Sequence, residues 1–257
     1  MGSGSTLIMY WSQVRILPGP PELDYFVKYK MNNNLDFFKW FETIATKLGN
    51  REISFRKIFK YLDAQSTPII IVETGCLRNL DNFGDGQSTL LFDKYTQSRG
   101  KGSKVYTVDI DPKATKVCKE TVSDKVEIVT DSSVRYLTYL SKNFIKTKTK
   151  VSMFYLDSFD VDWRYPHPAA AHHLKEFTAI NRLLHEDTLV VVDDAPAYAN
   201  LTQNDTGSAS TWKILSSPSP PPTVGGKGSL IHEYAMLSGA KLIFSYYHAA
   251  WNNFNKE

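Results

Sequence analysis

The run Pro68-Ile69-Ile70-Ile71-Val72, ending in Glu73-Thr74-Gly75, constrains this chain most. A strand with no polar alternation must be covered on both faces, which requires a parallel sheet sandwiched between helices. The glycine after it supplies a turn without a Cβ, where a ligand can approach the backbone closely, and nucleotide-like ligands bind at such turns.

The same punctuation recurs downstream. Apolar runs predict strands at 68–73, 104–109, 126–130, 151–157 and 188–193, and amphipathic segments predict helices at 87–98, 113–122, 132–143 and 169–184. Regular alternation of this kind means right-handed crossovers. The expected fold class is α/β: a Rossmann-like, doubly wound, mostly parallel sheet with helices on both faces. Leu35, Phe37, Phe38, Phe41, Ile44 and Leu48 recur at helical spacing up to Gly49, and a second helix is expected at 53–63. Together they make an N-terminal helical appendage. The expected organisation is a leader at 1–30, a helical segment at 31–65 and a Rossmann-like domain at 66–257. Within that domain, 196–228 reads as a long loop, because Pro218, Pro220, Pro221 and Pro222 and then Gly225-Gly226-Lys227-Gly228 exclude regular structure. A helix over Ser229 to Ser238 and a strand over Lys241 to Tyr247 follow, and no seventh strand is expected after Tyr247.

Composition excludes several classes. A net charge of +3, with lysines interspersed among acids, leaves no strong nucleic-acid signal. The longest apolar stretches are too short to cross a bilayer, so no membrane partner is expected. Cys76 and Cys118 both fall within packed elements, which points to reduced thiols and a cytoplasmic setting. Residues 1–30, with Gly2-Ser3-Gly4-Ser5 and Trp11 to Pro21, lack any periodicity and do not resemble a signal peptide. They read either as a disordered arm or as an over-extended reading frame whose start lies near Met31. Deleting them is expected to leave the melting temperature and activity unchanged.

The second strand ends Val108-Asp109-Ile110-Asp111-Pro112. An acid here can hold ribose hydroxyls with both oxygens, and that role is assigned to Asp109. Asp111 before Pro112 suits a helix N-cap with proline at the first helical position. Four segments, Glu73-Thr74-Gly75, Gly84-Asp85-Gly86-Gln87-Ser88-Thr89, Val108 to Pro112, and Val129-Thr130-Asp131-Ser132-Ser133, together resemble the successive motifs of class I S-adenosylmethionine-dependent methyltransferases. The likeness spans about residues 66–195. It implies that Glu73, Thr74, Gly75, Cys76, Gly86 and Ser88 hold the methionine part of S-adenosylmethionine, Asp109 the ribose, and Asp131 with Ser132 the adenine.

Strand four ends in Asp157 and strand five in Asp193-Asp194. Carboxyl ends of parallel strands emerge on one side, so three carboxylates can converge on a hard, oxygen-seeking cation such as Mg²⁺. This resembles metal-dependent O-methyltransferases of the catechol and macrocin types, with Asp157, Asp193 and Asp194 as metal ligands. Such a metal lowers the pKa of an acceptor hydroxyl. In those relatives a Lys or His base lies three residues after the strand-four acid, the place of Asp160 here. Asp160, or His172 or His173, is therefore a candidate base, with Asp157 beside it. Adjacent histidines on a helix point about 100° apart, so the two do not both face one site.

Trp163, Tyr165 and Tyr198 are candidates to stack on an acceptor or to cover core edges. Lys227 reads as a flexible, exposed lysine, with contact to an acidic substrate group from a closing lid as the alternative. The functional expectation is methylation of a small hydroxylated acceptor, with a homo-oligomer as the candidate assembly. A nicotinamide-dependent oxidoreductase, or a non-catalytic nucleoside-binding protein, are the alternatives.

Overall fold

A computed structural model of the chain describes residues 37–84, 87–196 and 224–254. The 1–30 leader, Gly86, Tyr198 and residues 197–223 of the expected loop lie outside the described residues. Two helices open the described chain: α1 (Phe37–Ile44), followed by a 3₁₀ stretch (Ala45–Arg51), and α2 (Glu52–Asp63). Gly49 does act as the expected stop, with a φ of 55° inside the 3₁₀ stretch. Then come β1 (Ile70–Thr74), α3 (Ser88–Ser98), β2 (Lys104–Asp109), α4 (Pro112–Thr121), β3 (Val126–Thr130), α5 (Ser133–Thr147), β4 (Met153–Leu156), α6 (His167–Ile180) and β5 (Leu189–Val192). The chain closes with α7 (Ser229–Ser238), β6 (Lys241–Ser245) and β7 (Ala249–Asn252). Among the described residues no helix is long and apolar enough to cross a membrane.

The fold is the Rossmann-like α/β sandwich expected. The seven strands stand in the order β3-β2-β1-β4-β5-β7-β6, with β7 antiparallel to both neighbours and the other pairings parallel. The seventh strand corrects the sequence reading. Ala249-Ala250-Trp251-Asn252 lacks the β-branched residues that mark a strand locally. The pairing is made by context, because β5 offers a free edge on which Val191 meets Ala250 and Val190 meets Trp251.

Register aligns the functional edge. Thr74 of β1 pairs with Val108 of β2 and with Leu156 of β4, Asp109 pairs with Thr130, and Leu156 pairs with Val192. The turns after β1 to β5 therefore emerge along one rim. Asp111 caps α4 as expected, its side chain accepting from the Lys113 N–H (2.8 Å).

Each face of the sheet has its own filling. Ile70, Val72, Phe154, Leu156, Val190 and Val192 point into a core shared with Leu137, Leu140, Phe144 and Phe177 of α5 and α6. On the other face Tyr155 of β4 meets Phe55 and Phe92 (ring centroids 6.1 and 5.1 Å). Phe59 of α2 sits 4.6 Å from Phe37, 5.4 Å from Phe41 and 5.1 Å from Tyr95. This aromatic seam makes the appendage part of the domain, since Phe41, Phe55 and Phe59 are all buried. Truncating Phe59 to Ala leaves a cavity that rigid neighbours cannot fill, and urea denaturation is expected to record a loss of about 3–5 kcal/mol.

Candidate functional site

The turn after β1 is shaped by Gly75. Its φ is +79°, and a Cβ there would stand 2.6 Å from the Asp157 carbonyl oxygen, so any side chain at this position would have to part β1 from β4. The Gly75 N–H donates to the Val108 carbonyl (2.8 Å) and the Cys76 N–H to Asp109 Oδ2 (3.1 Å), while Asp109 Oδ1 accepts from the Asp111 N–H (2.8 Å). The glycine turn and the acid assigned to ribose are thus joined directly.

Glu73 lies fully buried beneath the start of α3, where Thr89 Oγ1 donates to its Oε2 (2.7 Å) and accepts from the Leu77 N–H (2.9 Å). Burial pushes its carboxyl up to about 7, against the opposing pull of the Ser88, Thr89 and Thr107 side chains around it. Its Oε1 is buried with no hydrogen-bond partner. Ser88 is buried in the first turn of α3. The Cys76 thiol is raised by its hydrogen bond with Cys118 and by burial, and both cysteines are free and buried.

Thr74 does not face this turn. Its Oγ1 donates to Glu176 Oε2 (3.1 Å) and accepts from the Asp157 N–H (3.1 Å), and Glu176 Oε1 accepts from Ser158 Oγ (2.5 Å). Burial opposes the Glu176 charge, but His172, His173, Ser133 and Ser158 hold it below the ordinary range. The Nε2 of His172 is 3.1 Å from Ser133 Oγ and 3.4 Å from Glu176 Oε1, so this histidine belongs to a network that braces β1, β4 and α6. His173 turns toward the same carboxylate, its Nε2 4.0 Å from Glu176 Oε2, against the expectation that adjacent histidines part: it is buried, donates through Nδ1 to the Ala169 carbonyl (2.7 Å), and burial drives it down to about 4. Asp131 pairs with Arg135 and accepts from the Ser132 N–H (2.6 Å), at the start of α5. Asp160, 81% exposed and 3.4 Å from Arg78, is not in the carboxylate cluster.

Asp157, Asp193 and Asp194 converge as the sequence reading expects, with ligand atoms within 4.8 Å of one another. The cations beside them were not foreseen. Lys227, read from sequence as exposed, is 1% exposed, with its Nζ 2.5 Å from Asp157 Oδ1 and 2.9 Å from Asp194 Oδ2. Arg51, at the end of the 3₁₀ stretch, donates to Asp193 Oδ2 (3.0 Å) and Oδ1 (3.3 Å), reaches Asp194 Oδ1 (3.4 Å) and the Gly84 carbonyl (2.6 Å), and lies over the Tyr247 ring (4.4 Å). Tyr247 donates to Asp194 Oδ1 (2.5 Å), and His248 Nε2 lies 3.1 Å from Asp193 Oδ1 and 2.9 Å from the Tyr155 hydroxyl. Five of the six carboxylate oxygens thus face protein donors. Mg²⁺ demands oxygen ligands in near-octahedral array at about 2.0–2.1 Å, so the cluster as arranged does not fit it.

The carboxylates differ in character. Burial opposes the Asp193 charge, but Arg51, His248 and Lys227 hold its carboxyl well below the ordinary range. Burial pushes Asp157 well above that range, and Asp193 and Asp194 reinforce the shift against Lys227. Arg51 and Lys227 are both raised, their desolvation outweighed by these acids. Three carboxylates against two cations leave one negative charge in excess.

One sequence signal for Lys227 existed: the glycines around it. A Cβ on Gly226, whose φ is +49°, would overlap the Asp194 carbonyl oxygen, and one on Gly225 would stand 2.7 Å from that of Pro196. Arg51 and His248 carried no local signal.

No family model matches this chain. No curated protein matches it either. Among solved structures it is similar to a protein from Corynebacterium glutamicum (11% identity, TM-score 0.48, covering 92% of this chain and 99% of that one). It is also similar to a candidate O-methyltransferase from Klebsiella pneumoniae (12%, 0.45, 90% and 95%) and to cofactor-bound Rv0187 from MTB (13%, 0.44, 94% and 100%).

Glu73 makes a measurable signature. A carboxyl that releases its proton near 7 in the fold but near 4.5 when unfolded costs stability as pH rises through that window, because the unfolded chain gives up the proton first. Stability is therefore higher below about pH 4.5 than above about pH 7 on this account, by about 3 kcal/mol at about 1.4 kcal/mol per pH unit. Glu73→Gln is expected to remove this component, seen as a smaller difference between urea unfolding free energies at the two ends of the window.

Proposed function

We propose that this chain is an S-adenosylmethionine-dependent methyltransferase acting on the oxygen of a small hydroxylated acceptor, such as a sugar, a glycan or a natural product. The observation that carries this reading is the sign of charge at the first turn. Dinucleotide-binding folds present a helix N-terminus to a pyrophosphate there. In this chain Glu73 lies under that helix start and Asp109 lies across the turn, bound to the Cys76 N–H (3.1 Å). The Asp109 carboxylate, with the Glu73 carboxyl where a pyrophosphate would sit, disfavours a diphosphate and favours a ligand that carries positive charge. The sheet points the same way: the antiparallel β7 between β5 and β6 departs from the classical dinucleotide order 3-2-1-4-5-6.

The residues present fit such a ligand. Gly75 lets the turn pack against the end of β4, and the orphaned Glu73 Oε1 offers an acceptor. Gly75, Cys76 and Ser88 would hold the amino-acid part, Asp109 the ribose, and Asp131 with Ser132 the adenine. Bound there, the sulfonium supplies an electrophilic methyl group. The chain's own contribution is position and proton removal. Asp157 follows Thr74 and Gly75 across the rim, its N–H donating to the Thr74 carbonyl (3.0 Å). Burial raises its carboxyl, which makes it a stronger base, and it takes the acceptor's hydroxyl proton as the oxygen attacks. Asp160 is too solvated for that task, and His172 is committed to Glu176 and Ser133. No divalent metal enters this reading, because Lys227 and Arg51 hold the carboxylates that would bind it.

Calorimetric titration with S-adenosylmethionine and with NAD separates this reading from the oxidoreductase. Saturable binding of the first is expected, weakened at least about tenfold in Asp109→Ala, with release of S-adenosylhomocysteine in a screen of hydroxylated acceptors. Binding of NAD without binding of S-adenosylmethionine would overturn it.

A further inference from the structure

We propose that Lys227 is the resident cation of the Asp157–Asp193–Asp194 centre: its ammonium does in this chain the work of a divalent ion, gathering the carboxylates and fixing Asp157, so that the centre excludes metals. Three observations carry this. The ammonium stands between Asp157 Oδ1 (2.5 Å) and Asp194 Oδ2 (2.9 Å), where an ion shared by the ends of β4 and β5 would sit. The lysine is built in by its backbone: its N–H donates to the Asp194 carbonyl (3.1 Å), and Gly225, Gly226 and Gly228 pack so closely on Pro196, Asp194, Ala195 and Val224 that side chains there would displace them. The charge is closed from the other side, because Arg51 binds Asp193 through both oxygens.

Charge counting completes the case. The three carboxylates and two cations sum to one negative charge. A divalent ion added to them would make the centre positive in a site where charges about 4 Å apart interact at several kcal/mol. Removing the ammonium while keeping the stem leaves a pocket of three acids with one cation, which suits a hard divalent ion. Lys227 acts here as a positioning residue, through Asp157 and Asp194.

The test titrates the full-length chain with Mn²⁺ and follows free Mn²⁺ by electron paramagnetic resonance, alongside melting temperatures with Mn²⁺ and with chelator. The wild type and Lys227→Arg are expected to show no saturable site and no shift in melting. Lys227→Met is expected to gain one site, at least about tenfold tighter than any binding by the wild type, and to lose it again when Asp157→Asn is added. Saturable Mn²⁺ binding by the wild type that Asp194→Asn abolishes would overturn the proposal. So would a folded Lys227→Met chain, checked by circular dichroism, that gains no site. If Lys227→Met does not fold, the wild-type titration decides alone. The assignment of methyl transfer underlies one further arm, in which turnover persists in chelator. The Mn²⁺ measurements use no methyl donor, so failure of that assignment leaves them standing.

Discussion

Three carboxylates packed at the ends of β4 and β5 are the constraint around which this molecule is arranged. Left uncompensated, buried charges cost several kcal/mol each, and a fold that gathers three of them has to bring cations to meet them. The cations come from opposite ends of the chain. Arg51 arrives from the helical appendage and Lys227 from the turn before α7, while Tyr247 and His248 arrive from the β6–β7 hairpin. Position 51 is thereby tied to 193, and 194 to 227 and 247. Electrostatics at the rim and the aromatic seam around Phe59 serve the same end, since both hold the appendage to the sheet.

The same compensation gives the acids different properties. Asp193 is gripped by a bidentate guanidinium and by His248, and remains a carboxylate. Asp157 has one ammonium and two acidic neighbours, and burial pushes it strongly upward. Two carboxyl groups with separated affinities for a proton are what an acid–base site needs, and here the separation follows from which cation each oxygen meets. The Thr74–Glu176–Ser158 network stiffens the neighbouring backbone, so that Asp157 is set by hydrogen bonds on its N–H as well as on its side chain.

Legibility in the sequence followed the range of the interaction. Strands β1, β4 and β5 announce themselves because each buried run is written in consecutive residues, and Asp111 is recognisable as a cap because capping spans three positions. The convergence of Asp157 with Asp193 and Asp194 was also readable, since parallel strands deliver their ends to one rim. Strand β7 was not, because Ala249 and Ala250 become strand residues only through the edge that β5 presents. Lys227 was misread for a related reason. A lysine among glycines has the local signature of an exposed turn, and only the carboxylates some seventy and thirty residues earlier in the chain reveal it as buried. Arg51 lies 142 residues from Asp193, beyond any local pattern.

Gly75 connects the two halves of the site. Its Cα faces the Asp157 carbonyl so closely that a methyl group would not fit, and the Asp157 N–H returns to the Thr74 carbonyl. The turn that would cradle a methyl donor and the residue that would deprotonate its acceptor are therefore one packed unit, with no hinge between them. In-line displacement rewards such an arrangement, because reacting atoms held within about 3–3.5 Å avoid the entropy cost of finding each other. Displacement of β1 from β4 at this point would shift the Asp157 backbone, and with it the side-chain oxygen that Lys227 meets. The chemistry of the rim thus depends on a contact in which no charged group takes part.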